Sequence, residues 1–158
     1  MSTHAHAPHP PPPSLNALAF SATVHCLTGC AIGEVLGMVI GTALGFSDLG
    51  TIAIATVLAF AFGYSLTSLP LLRSGMTLAA VAPLALASDT ISITIMEIVD
   101  NATMLAIPGA LGATLTDVGF WVALAAALLI AGAAAYPANR WLLARGRGHA
   151  VVHAHHGH

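Results

Sequence analysis

Four runs of mostly apolar residues divide this sequence, at about residues 15–45, 49–69, 84–107 and 120–143. A helix of about 20 such residues crosses the roughly 30 Å hydrocarbon layer of a bilayer, so each run is long enough to span. Strands are a poor alternative, because an open sheet edge has no partner in lipid and a closed barrel needs about eight strands. Charge supports the same reading. Only 6% of the 158 residues are charged and 57% are hydrophobic, whereas a soluble domain carries about 25% charged residues. The expected fold class is therefore all-α, a polytopic membrane protein built as a bundle of four transmembrane helices, with the bilayer as its first partner. The two signs nearly cancel, at a net charge of −2, which gives no polyanion footprint and argues against nucleic acid as a partner.

The prolines and arginines refine the layout. Pro70 is expected to close the second helix at Leu69, and Pro83 and Pro108 to bracket the third, with a short helical lead-in from Thr77. Pro137 is expected to kink the end of the fourth. Arg73 lies in the second loop and Arg140, Arg145 and Arg147 lie at or beyond the end of the fourth helix, whereas the first and third loops carry Asp48 and Asp117. The positive-inside rule then places both termini in the cytoplasm and the chain in the inner (plasma) membrane. The opening MSTHAHAPHPPPPS lacks the basic and apolar regions of a secretory signal, so the first helix is expected to be retained. Three segments follow: a His/Pro-rich tail at 1–13, a transmembrane helical domain at 14–145, and a His-rich tail at 146–158. Eight of the nine histidines fall in the tails, and such tracts commonly bind metal.

The first helix carries two rows, each repeating every four residues. Gly29, Gly33, Gly37, Gly41 and Gly45 form a groove without side chains, extended by His25, and a close helix contact is expected there. One residue further round stand Cys26, Cys30, Glu34 and Met38. Thiolate and thioether suit Cu(I), while thiolate with imidazole and carboxylate suits zinc. The alternative for the cysteines is ordinary packing.

The third helix reads SDTISITIMEIVDNATM over residues 88–104, with Asp89, Glu97 and Asp100 inside an apolar span. Ser92, Met96, Asp100 and Met104 share one face, and Glu97 and Asn101 lie on the adjoining one. Such a helix cannot be a passive lipid-facing anchor, because ionisable groups at membrane depth face a bundle interior or water. An acid there is acceptable protonated and hydrogen-bonded, or ionised around a cation. Helix two, with Tyr64, Ser65 and Thr67 near its end, is expected to carry no chemistry. Helix four reads as packing, with Tyr136, Asn139, Arg140 and Trp141 as boundary anchors.

The stretches HCLTGCAIGEVLGMVIG, SDTISITIMEIVDNATM and NRWLLARGRGHAVVH resemble a bacterial family of small integral membrane proteins classed as a domain of unknown function. The resemblance covers nearly all of the chain after about Ser21. It implies a multi-helix membrane domain and an association with metal handling, and it brings no catalytic residues.

Three functions fit these residues. The first is binding and transport of a transition-metal ion, copper favoured, through His25, Cys26, Cys30, Glu34, Met38, Met96, Glu97, Asp100 and Met104. The second is a proton-coupled carrier of a small solute, with Glu34, Asp89, Glu97, Asp100 and Asn101 as its relay. The third is an accessory or assembly subunit of a larger membrane complex, docking through the glycine row. A transport path through so small a bundle favours a homo-oligomer. Enzymatic chemistry is not expected, since no nucleophile–base pair or dinucleotide loop is present, and a thiol-linked redox role for Cys26 and Cys30 is the minor exception.

Overall fold

A computed structural model describes residues 13–110 and 112–146. The expected tails at 1–13 and 146–158 fall almost wholly outside the described residues. The described part is a bundle of four helices: α1 (Leu15–Leu44), α2 (Asp48–Arg73), α3 (Leu78–Ala106) and α4 (Val118–Ala144). All four are long and apolar enough to cross a membrane. Many large apolar side chains remain exposed along the helices, among them Phe20, Leu49, Val57, Ile98 and Leu129, as a surface facing lipid requires. The chain is a multi-pass membrane protein.

Local chemistry sets the helix ends. Ser14 caps α1 by accepting from the Ala17 N–H, and Ser47 caps α2 by accepting from the Gly50 N–H, each at 3.3 Å. Gly45 stops α1 in the left-handed conformation, φ 68°, and the following Phe46 N–H returns to the Gly41 carbonyl at 2.9 Å. A side chain would be strained at that φ, so this glycine serves the turn. Its inclusion in the packing row is corrected on that ground: a Cβ at Gly45 would meet nothing within 4 Å.

One boundary differs from the sequence expectation: helix α2 runs through Pro70 to Arg73. The helical lead-in expected from Thr77 is present, and it is continuous with the span, since α3 starts at Leu78 and runs through Pro83. Pro70, Pro83 and Pro137 all lie toward one end of the bundle, near the loop between α2 and α3. Each proline leaves a carbonyl one turn earlier without its donor. Near a membrane boundary water can supply one, so the helices continue.

The packing order follows residue size. Helix α1 lies closest to α2, along the glycine row. The four glycines face Gly63, Ala59, Ala55 and Thr51 of α2 in antiparallel order, each step of four along α1 matched by a step of four back along α2. A Cβ on Gly29 would come within 2.8 Å of the Gly63 Cα, and one on Gly33 or Gly37 would collide with the backbone at Ala59 or Ala55. His25 completes the row opposite Thr67, its Nε2 lying 3.2 Å from the Thr67 hydroxyl. The other side of α1 meets α4 and α3. There the Asn139 amide donates to the Thr23 hydroxyl at 2.8 Å, and the Arg140 Nε donates to the Asn16 side-chain Oδ1 at 2.8 Å. Asn139 is buried, so it is a bond between helices rather than the boundary anchor its sequence position suggests.

Candidate functional site

The row beside the glycines faces α3. Cys26, Cys30 and Glu34 are buried, as are Asp89, Ser92, Met96, Glu97, Asp100 and Met104 of α3. The two polar rows therefore meet within one chain, and they form a seam running along the bundle.

Three steps make up that seam. Toward the α2–α3 loop, Asp89 accepts from the Ser88 hydroxyl at 2.9 Å and has Thr67 and His25 as polar neighbours. His25, Thr67 and Asp89 thus link α1, α2 and α3 at one level. Helix two was expected to carry no chemistry, and this is a correction: Thr67 sits between the one intramembrane histidine and an acid. Its Tyr64 hydroxyl also lies 2.9 Å from Thr90 of α3. One turn further, Cys26 lies beside Ser92.

At the middle level, Cys30 neighbours Glu97 and Glu34, and Thr56 of α2 and Asn101 are further polar neighbours of Glu97. Neither Glu97 carboxyl oxygen meets a donor in hydrogen-bonding geometry among the described residues.

At the third level, the Glu34 and Asp100 carboxyls are in side-chain contact, with Glu97 nearby. Glu34 is 5% exposed and Asp100 3% exposed. Among the described residues no donor meets either Glu34 oxygen or the Asp100 Oδ1. Two carboxyls side by side offer only acceptors unless a proton or a cation lies between them, because ionised oxygens repel and no water-filled bulk screens them at this depth. A shared proton makes one short O–H···O bond of the charge-assisted kind. This pair is the chemically decisive feature of the seam.

The pair borders a cavity of about 80 Å³, whose lining includes Asn101, Met38 and Met104, with Asp48 at the start of α2. The space is several times the roughly 10–15 Å³ that one water needs. Asp48 is exposed, so the cavity lies toward the α1–α2 loop end, opposite the His25 level.

The nine expected metal ligands are thus divided along the seam. His25 faces Thr67, Cys26 faces Ser92, Cys30 faces Glu97, and Met38 and Met104 line the cavity with Glu34 and Asp100. Met96 packs in an apolar cluster with Cys26, Cys30 and Ile93. Among the described residues no three His, Cys, Asp or Glu side chains are grouped as a metal ion requires. The five expected relay residues lie on the seam: Asp89 at the first level, Glu97 and Asn101 at the second, Glu34 and Asp100 at the third.

Sequence reasoning missed Thr51, Thr56 and Thr67 of α2. Their signal was present: Thr51, Ala55, Ala59, Gly63 and Thr67 form a row of small residues every four, the counterpart of the glycine row.

No curated protein and no solved structure matches this chain. A family model described as a domain of unknown function, DUF4396, matches residues 16–148. That span takes in all four helices and every level of the seam, and the chain belongs to the DUF4396 family.

Proposed function

We propose that this protein is a cation carrier of the membrane, in which the α1–α3 seam takes up and releases protons. The observation that carries the reading is the Glu34–Asp100 pair, two almost fully buried carboxyls in contact, with no donor among the described residues to either Glu34 oxygen or to the Asp100 Oδ1. Such a pair binds a proton or a cation and must lose it to bind another, which is the requirement for exchange. The Glu97–Cys30 level and the Asp89–Thr67–His25 level continue the line of exchangeable protons across the span. The orientation that fits the arginines puts both termini in the cytoplasm of a cell's inner membrane, so the cavity beside Asp48 faces outward.

The test is proton uptake into proteoliposomes, followed with an entrapped pH dye. Uptake is expected in the wild type and lost in Glu34→Gln and in Asp100→Asn, with Cys26→Ser, Cys30→Ser retaining it. Wild-type rates from the Glu34→Gln protein would refute the proposal.

A transition-metal carrier, copper favoured, is the second reading. Its support is the Cys30 thiol beside Glu97 and Glu34, and the thioethers of Met38 and Met104 on the cavity wall. Soft sulfur donors of this kind suit Cu(I). Bound Cu(I) counted on purified protein separates the two, since the metal reading requires stoichiometric binding that falls in the double cysteine variant. An accessory role with a larger complex has lost its main support, because the glycine row is filled by α2 of the same chain.

A further inference from the structure

The cavity beside Glu34 and Asp100 has a chemical character of its own. Carboxyls dominate its polar lining, Glu34 and Asp100 with Asp48 at the loop end, joined by Thr51 and by Asn101, whose Nδ2 donates to the Glu97 backbone carbonyl at 2.8 Å. The Glu34 oxygens and the Asp100 Oδ1 are without donors among the described residues, on side chains more than nine-tenths buried. The apolar part of the wall is Ile52, Ala55 and Leu124 beside the two methionines. A primary ammonium has three N–H donors for the acceptors and an alkyl body for the apolar side.

From this geometry we infer that the cavity is a binding site for a small primary alkylammonium ion, held by Glu34, Asp100 and Asn101. The inference rests on the proton-exchange reading and names the cation exchanged. At about 80 Å³, the space is about half of the roughly 150 Å³ apolar cavity that accepts benzene. It admits an ammonium with a short chain and excludes bulky ones. Ammonium at the carboxyls takes the place of their shared proton, so binding releases a proton to solvent.

The experiment titrates methyl-, ethyl- and n-propylammonium chloride into detergent-purified full-length protein by calorimetry, with proton release read by a dye in weak buffer. Saturable binding with proton release is expected, strengthening as the chain lengthens. Tetramethylammonium, which has no N–H donor, is expected to bind weakly or not at all. Glu34→Gln and Asp100→Asn are each expected to weaken binding by about tenfold or more, the loss of one charge-assisted bond. The wild-type series carries the test even if a variant fails to fold. Absence of saturable binding for all three ions overturns the inference, as does equal binding of tetramethylammonium. Binding of Ag(I) alone, lost in Met38→Leu, Met104→Leu, overturns it in favour of a soft-metal site. Glu34-dependent proton uptake without ammonium binding would sink this inference and leave the proton reading standing. Loss of that dependence would sink the proton reading itself.

Discussion

Helix α1 presents two neighbouring faces with opposite physics. Toward α2 it offers glycines, and the two backbones approach until a single added carbon would collide. Toward α3 it offers thiols and a carboxyl, and acids without donors lie along the contact beside a cavity. In lipid no hydrophobic force drives helices together, so close backbone contact and polar bonds have to do so. The α1–α2 face supplies that adhesion. A bundle held there can keep unsatisfied acids on the adjoining face, which would be intolerable on a helix pair that depended on them for stability.

This division predicts that lesions on the two faces fail differently. The largest effect is expected for Gly33→Leu, whose side chain meets the Ala59 backbone and has no flexible neighbour to displace. Overpacking by that much costs about 3 kcal/mol or more, and loss of monodisperse folded protein in size-exclusion chromatography would register it. A normally folded Gly33→Leu protein would break the distinction.

Glu34→Gln should do the reverse. The amide supplies the N–H that Asp100 lacks, so the fold is kept, with an unfolding midpoint in bicelles equal to wild type or raised by about 1 kcal/mol at most, while proton uptake disappears. Unfolding of this variant would mean that the seam carries stability after all.

A smaller, purely structural effect belongs to Asn139→Ala, which removes the bond to Thr23 between α4 and α1. Hydrogen bonds between membrane helices contribute about 0.6–1.7 kcal/mol, and the same unfolding assay should read a loss in that range with transport unchanged.

The smallest effect lies in the loop before α4. The Asp117 carboxylate accepts from the Thr114 N–H at 2.8 Å and from its hydroxyl at 3.0 Å, and these bonds hold it below the ordinary carboxylate range. A group whose affinity for protons is lower when folded stabilises the loop above its unfolded pKa and loses that contribution as pH falls through the folded one. Protection of the Thr114 amide from hydrogen exchange, relative to its intrinsic rate at each pH, should therefore fall in acid, and Asp117→Asn should remove that pH dependence.

Much of this arrangement was legible in the sequence because it is periodic. Hydropathy located four spans, and the spacing of four located both rows of α1 and the polar face of α3. Pro70 misled at the end of α2, since a rule learned from water-exposed and buried helices weighs less where interfacial water satisfies the freed carbonyl of residue 66. The role of α2 was hidden for another reason. Thr67 and Thr56 are ordinary residues in an apolar run, and only the pairing with α1 sets Thr67 beside His25 and Thr56 beside Glu97. The division of the nine expected ligands was likewise invisible, because periodicity assigns residues to a face and says nothing of what stands opposite each turn.

Infrared difference spectroscopy of the lipid-reconstituted protein tests the central claim most directly, through the C=O stretch of a protonated carboxyl buried from water. If Glu34 and Asp100 share a proton, the wild-type band contains a component that is lost in both Glu34→Gln and Asp100→Asn, while any component from the buried Glu97 persists. A wild-type spectrum without the band in cation-free buffer, or a band indifferent to both substitutions, would contradict it.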